Sequence, residues 1–168
     1  MLTRRDIITK WSTYGVVTLA LAFLCALLLR GVTVLGAQAF LMPLIVAVVA
    51  SMEETRAGVI FGLVCGVLCD LTVAGTFPCV YTIAFTLAAL ACSALAQSVL
   101  QPGVLCSVAA TALTFLFVDA LHMLALFFKA RAPFGAMADL AVRELLVSLP
   151  LLIVCHPVLS FLHRKFTI

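Results

Sequence analysis

Long apolar stretches, separated by short polar, glycine or proline breaks, run along most of the chain. Between Ala57 and Phe128, only Asp70 and Asp119 carry a charge. A helix needs about 20 apolar residues to cross the hydrocarbon core of a bilayer. The pattern therefore predicts an all-α membrane protein, a bundle of about six transmembrane helices in one polytopic domain over residues 1–168. The predicted spans are about 11–29, 37–52, 57–73, 80–97, 104–128 and 145–162.

The third predicted helix carries a glycine ladder, which we define as Gly58, Gly62, Gly66 and Asp70. At about 100° per residue, steps of four keep these positions on one face of the helix. Small residues at this spacing let two membrane helices pack closely. We therefore expect Gly62→Leu or Gly66→Leu to force helices apart and to disrupt folding or assembly with a partner.

Asp70 ends the glycine ladder inside an otherwise apolar segment. An ionised aspartate at the centre of a membrane helix costs about 2.5–3.5 kcal/mol on insertion scales, so such an acid normally faces a partner or a cavity. One interpretation is a polar cap, in which the carboxylate accepts hydrogen bonds from backbone N–H groups of the uncharged turn at 74–78, which contains Gly75. The alternatives are a salt bridge with another helix and a ligand or ion site. We favour the cap, which would fix the glycine loop beside Asp70.

The fourth and fifth predicted helices each show a pattern typical of buried faces. The fourth contains a run of small residues, Ala88, Ala89, Ala91, Cys92, Ser93 and Ala94, which permits close packing. In the fifth, a polar stripe is formed by Ser107, Thr111, Thr114 and His122, with Asp119 beside it. Asp119 and His122 lie one turn apart, so they are expected to satisfy each other or to bond to a neighbouring helix. A proton relay and a metal site are the less favoured alternatives.

The last third of the chain contains its one sizeable polar segment, residues 129–144, which predicts a loop with a short interfacial helix. The sixth predicted span follows and contains Pro150 and Pro157. His156 is interpreted as a packed or interfacial histidine and His163 as a residue that flanks the span. Six crossings place both termini on the same side of the membrane.

Composition supports the membrane assignment, since 65% of residues are apolar and 10% charged, against about 45–50% and 25% in soluble proteins. The net charge of +3 lies in short flanks of the spans, so it indicates topology and no nucleic-acid binding. With the N-terminus inside, the inner segments carry six of the ten Lys and Arg residues, which favours cytoplasmic termini. A signal peptide that ends at Ala37-Gln38-Ala39 is rejected because Arg30 precedes that site and further spans follow.

The sequence contains no residue pattern typical of catalysis or of a metal site. The seven cysteines form no C-x-x-C pair, and Cys65 and Cys69 have no further ligand at zinc-site spacing. The sequence contains no G-x-S-x-G, no H-E-x-x-H and no phosphate-binding glycine loop. We therefore expect no catalytic residues, no cofactor and no metal, and a protein that is not an enzyme.

The motif Gly62-x-x-x-Gly66-x-x-x-Asp70, followed by Leu71, the Gly75 loop and a small-residue helix, resembles the rod shape-determining protein MreD family. Phe117-Val118-Asp119-Ala120 resembles the acidic position that the family carries in its fifth span. The order of the spans and their basic ends also fit, so the resemblance covers most of the chain. In one departure, Pro78-Cys79 stands where the family usually has a glycine.

The resemblance implies a non-catalytic scaffold in the bacterial inner membrane, with both termini in the cytoplasm. Such a protein binds MreC, works with the MreB cytoskeleton and the lateral wall synthases of the elongation complex, and helps to position peptidoglycan synthesis and maintain cell shape. The family fold is similar to the substrate-binding subunit of energy-coupling factor transporters, so the alternative is a vitamin transport subunit. Ala22-x-x-x-Ala26 matches the docking motif of such subunits. The scaffold is favoured because four of the six predicted helices carry few internal polar groups.

Overall fold

The structure, a computed structural model, describes residues 4–28, 40–72, 79–98, 103–128 and 134–167. Within these ranges the protein is all-helical. The helices are α1 (Arg4–Leu28), α2 (Leu41–Met52), α3 (Thr55–Thr72), α4 (Val80–Ser98), α5 (Val104–Phe128) and α6 (Phe134–Thr167). This confirms the predicted all-α class.

Five of the helices contain segments that are long and apolar enough to cross a membrane, as expected of a multi-pass membrane protein. These segments are Ile7–Leu24, Thr55–Thr72, Val80–Ser98, Val104–Leu126 and Ala138–Lys165. The exception is α2, whose 12 residues span about 18 Å, less than the roughly 30 Å of a hydrocarbon core. Positions 37–39 of the predicted second span lie outside the described residues.

The polar segment before the sixth span is helical from Phe134 onward and continuous with α6, so the expectation of a separate loop there is wrong for residues 134–144. Apolar residues continue through this region of α6. Arg143 also forms an ion pair with Asp139 at 2.7 Å, and this i,i+4 spacing supports a helix. The helix runs on through Pro150 and Pro157.

The short α2 lies at the centre of the bundle and packs against all five other helices. Every side chain from Leu44 to Ala50 is at most 1% exposed. A helix that is apolar on all sides is stable only when it is buried all round. Four of the six small residues predicted to pack in α4 are also buried, with Ala88, Ala89 and Cys92 at 0% and Ser93 at 1%. Ala91 is half-buried and Ala94 is exposed, so Ala94 lies outside the packed face.

The glycine ladder brings α3 against α4 and the end of α2. A Cβ added at Gly62 would lie 2.8 Å from the Phe85 carbonyl oxygen, and one added at Gly66 would lie 2.5 Å from the Thr82 Cα. At Gly58 the nearest atom would be the Ala50 Cα, at 3.1 Å. The first two distances are shorter than side-chain carbons tolerate, so the two helices approach each other as closely as glycine alone permits.

Replacement of Gly66 by alanine is expected to lower the melting temperature in detergent, because the new Cβ meets backbone atoms of α4. Overpacking of this kind typically costs about 1–3 kcal/mol. Gly15→Ala in α1 is the matched control, since an added Cβ there has no neighbour within 4 Å. Circular dichroism melts compare the variants, and a Gly66→Ala protein as stable as the wild type would contradict the close approach.

Candidate functional site

Asp70, at the end of the glycine ladder, binds the N-terminus of α4. Its Oδ1 accepts a hydrogen bond from the Tyr81 backbone N–H at 3.1 Å, and its Oδ2 accepts from the Thr82 backbone N–H at 2.9 Å. The Thr82 hydroxyl also donates to Oδ2, at 2.6 Å. The carboxylate thus accepts three hydrogen bonds, two of them from N–H groups in the first helical turn, where no intrahelical acceptor exists.

The residue that precedes α4 explains why this acceptor comes from another helix. The Cys79 carbonyl accepts from the Ile83 N–H at 3.1 Å, which places Cys79 at the N-cap position, where Ser, Thr, Asp or Asn normally bonds to the first turn. Cys79 lacks an oxygen for that purpose and has φ 66°, in the left-handed region that favours glycine. Asp70 supplies the missing acceptor, and its negative charge suits a helix N-terminus.

Asp70 is therefore a cap, but of α4. The turn at 74–78, including Gly75, lies outside the described residues. No ion pair involves Asp70 among the residues that the structure describes.

A cavity of about 240 Å³ lies at the same end of the bundle, between α4, α5, α6 and the residue that precedes α2. We call it the polar cavity. Asp119 and His122 both line it, together with Phe40, Tyr81 and Glu144. The His122 ring packs edge-on against the Tyr81 ring, with 4.9 Å between centroids. In the described ranges no hydrogen bond joins Asp119 to His122, so the structure brings the two predicted residues to one cavity without pairing them.

Glu144 is the acidic residue of the polar cavity that was not predicted from the sequence, because it was assigned to a loop. A signal for it exists in the sequence. Glu144, Ser148 and Leu152 follow steps of four, which places them on one face of a helix, and Ser148 and Leu152 are both buried. The Ser148 hydroxyl accepts a hydrogen bond from the Phe40 N–H at 3.1 Å, so this face of α6 meets the start of α2.

A second, larger cavity of about 630 Å³ lies between α5 and α6. We call it the apolar cavity, because Asp119 is the one ionisable side chain among its described lining residues. Asp119, Met123 and Ala141 line both cavities. The two cavities therefore adjoin at Asp119.

Glu53, at the opposite end of the bundle, forms a polar cluster with residues from both ends of the chain. The Lys10 Nζ lies 2.7 Å from its Oε2, while the Tyr14 hydroxyl and the His163 Nδ1 lie 3.0 and 2.9 Å from its Oε1. The Glu53 side chain is 6% exposed. Parts of the chain near the N- and C-termini therefore meet at one end of the bundle, and the sequence could not reveal this because these partners are far apart along the chain.

The charge state of Glu53 follows from this cluster. Burial by itself raises the pKa of the Glu53 carboxyl, but hydrogen bonds from Lys10 and His163 and the positive charge of Lys10 outweigh burial. The pKa therefore lies below the ordinary value for glutamate. Glu53 is held as a carboxylate that joins α1 and α6 to the end of α2.

Several other polar side chains of the bundle hydrogen-bond to one another or to the backbone, whereas the buried Thr18 hydroxyl of α1 has no hydrogen-bond partner among the described residues. The Ser107 hydroxyl, in the polar stripe of α5, is fully buried and lies 3.0 Å from the Nδ1 of the half-buried His156. The Thr111 and Thr114 hydroxyls donate to carbonyls of their own helix. Among the described residues, no group of three or more His, Cys, Asp or Glu side chains is placed to hold a metal ion.

Asp70→Ala is expected to destabilise the protein, because it leaves the Tyr81 and Thr82 N–H groups without their acceptor. Loss of an N-cap side chain typically costs about 0.5–2 kcal/mol, which should appear as a lower melting temperature in detergent. Asp139→Ala, which removes an exposed carboxylate of α6, is the control. An Asp70→Ala protein that melts with the wild type would exclude the cap.

Replacement of Glu53 by glutamine should reveal the effect of its lowered pKa. The carboxylate stabilises the fold above the unfolded-state pKa of about 4.3, and this contribution is lost as pH falls through the lower folded-state value. Glu53→Gln should therefore melt below the wild type at neutral pH, with a gap that narrows in acid. Glu54→Gln, at an exposed neighbour, should show no such gap, and a Glu53→Gln gap that is the same at every pH would refute this assignment.

In comparisons with known proteins, no family model, no curated protein and no solved structure matches this chain. Its function is therefore inferred from its residues and their geometry. Two features carry that inference, the Asp70 cap at the end of the glycine ladder and the pair of cavities that adjoin at Asp119.

Proposed function

We propose that the protein is a non-catalytic integral membrane scaffold of the bacterial cell-elongation complex. In this role it binds an MreC-like membrane protein and acts with the MreB cytoskeleton and the lateral wall synthases to position peptidoglycan synthesis and maintain cell shape. It resides in the inner membrane with both termini in the cytoplasm. The proposal rests on the resemblance of its glycine ladder and Asp119 segment to the MreD family.

The observation that carries the proposal is that the residues of the glycine ladder hold two helices together. Gly62 and Gly66 allow close contact between α3 and α4, and Asp70 binds the α4 N-terminus. None of the three lines either cavity. The glycine ladder, which carries the resemblance to the MreD family, thus holds α3 and α4 together. A role in helix packing supports a scaffold function.

A second candidate, the substrate-binding subunit of an energy-coupling factor type transporter, is favoured by the polar cavity. Such a subunit needs polar groups from several helices in one cavity. Tyr81 from α4, Asp119 and His122 from α5, and Glu144 from α6 line one such space. The sequence argument against this function, a shortage of internal polar groups, did not include Glu144.

Co-purification separates the two candidates. The protein, produced with an affinity tag together with the MreC-like protein of the same bacterium, should recover that partner in detergent, and an unrelated single-span membrane protein should not be recovered. Gly66→Ala should reduce recovery of the partner because it disturbs the α3–α4 pair, whereas Gly15→Ala should not.

The transporter candidate predicts the reverse pattern. If the purified protein retains a vitamin through chromatography and does not recover the MreC-like partner, the scaffold proposal is wrong. Restoration of rod shape in a bacterium depleted of its own MreD is the matching cellular readout for the scaffold.

A further inference from the structure

The two cavities differ in chemistry and meet at one carboxylate. The polar cavity presents Asp119, Glu144 and His122 beside the rings of Phe40 and Tyr81. The apolar cavity presents alanine, leucine, valine, methionine and phenylalanine side chains, with Asp119 at its junction with the polar cavity. A ligand that occupied both spaces would need a polar head and an apolar body joined near Asp119.

The polar cavity is lined by acidic side chains. Two of its described lining side chains, Asp119 and Glu144, are acids, and none of the described lining residues is a lysine or arginine. Neither carboxylate has a hydrogen bond or an ion pair within the part of the chain that the structure describes. Buried or half-buried carboxylates are costly without a donor, and a ligand N–H would supply one. The Phe40 and Tyr81 rings, whose centroids lie 5.6 Å apart, also line the polar cavity, and aromatic rings attract cations.

The apolar cavity suits a hydrocarbon chain. Its volume of about 630 Å³ falls in the roughly 300–1,000 Å³ range of ligand pockets. Leu116, Leu124 and Val142 line it and are 64, 52 and 56% exposed. Because α5 and α6 are membrane-spanning by length and composition, these exposed side chains mark an opening toward the acyl chains of the bilayer.

We propose that the two cavities form one binding site for a single-chain amphiphilic amine. The ammonium group lies between Asp119 and Glu144 and donates hydrogen bonds to both carboxylates, and the hydrocarbon chain lies between α5 and α6. The inference goes beyond the scaffold function and does not require it, because binding belongs to this chain alone. It also assigns a ligand class to the cavity that favours the second candidate.

Other ligand classes fit the site less well. A metal ion would use the carboxylates but leave the apolar cavity unused, and the described residues supply no third protein ligand beside them. A fatty acid or an anionic lipid headgroup would place negative charge against Asp119 and Glu144, which is repulsive at short range. An uncharged alcohol would fill the apolar cavity but gain no ionic hydrogen bond.

Binding of radiolabelled dodecylamine to the purified protein, in nanodiscs of phosphatidylcholine, tests the proposal. Empty nanodiscs measure partition into the lipid. Saturable binding above that background is expected, with dodecanol, dodecanoate and propylamine each competing at least about tenfold more weakly, because dodecanol and dodecanoate lack a positively charged head and propylamine lacks a long apolar chain. Competition by dodecanol or propylamine as strong as by unlabelled dodecylamine would overturn the proposal, as would the absence of saturable binding.

Asp119→Asn and Glu144→Gln locate the site. Each preserves side-chain shape and removes one charge, so each should weaken dodecylamine binding roughly tenfold or more. Asp139→Asn changes an exposed carboxylate of α6, the helix that also carries Glu144, and should leave binding unchanged. Wild-type affinity in both cavity variants would overturn the proposal, and if one variant fails to fold, the other and the wild-type ligand series decide the question.

Discussion

The fold depends on the close approach of α3 and α4 at Gly62 and Gly66, which Asp70 completes with its hydrogen bonds to the start of α4. In a bilayer no water is present to satisfy the free N–H groups of a helix end. Nor is there water to solvate a carboxylate. Asp70 and the α4 N-terminus meet both requirements together, and they can do so only because the glycines allow the two helices to approach within reach of one aspartate side chain.

The other helices of the bundle pack, directly or through α2, around the α3–α4 pair. The buried α2 packs against both helices of the pair and against α5 and α6. At one end of the bundle, Glu53 draws in Lys10 and His163, so its charge is balanced within the protein. At the other end, Asp119 and Glu144 line cavities and lack such partners among the described residues. This difference indicates a structural role for the Glu53 cluster and supports the proposal that a ligand binds at Asp119 and Glu144.

Features that depend on local spacing could be predicted from the sequence. The glycine ladder, the small-residue face of α4 and the buried hydroxyls of α5 all follow helical periodicity. Features that depend on pairs distant in the chain could not, which is why the partners of Glu53 and the place of Glu144 beside Asp119 were missed. The charged residues in 134–144 led to the prediction of a loop, although Asp139 and Arg143 stand at the i,i+4 spacing of a helical ion pair. For α2, the apolar composition of residues 37–52 predicted a membrane span, but the described helix has only 12 residues.

The most direct test of the central claim, that Asp70 caps α4 across the glycine interface, is amide hydrogen exchange at Tyr81 and Thr82. In the wild type these two amides should exchange slowly although they have no intrahelical acceptor, and in Asp70→Ala they should exchange rapidly. The Ser107 amide, which bonds to the Gly103 carbonyl at the start of α5, should be equally protected in both proteins. Equal exchange of Tyr81 and Thr82 in the wild type and the variant would contradict the account.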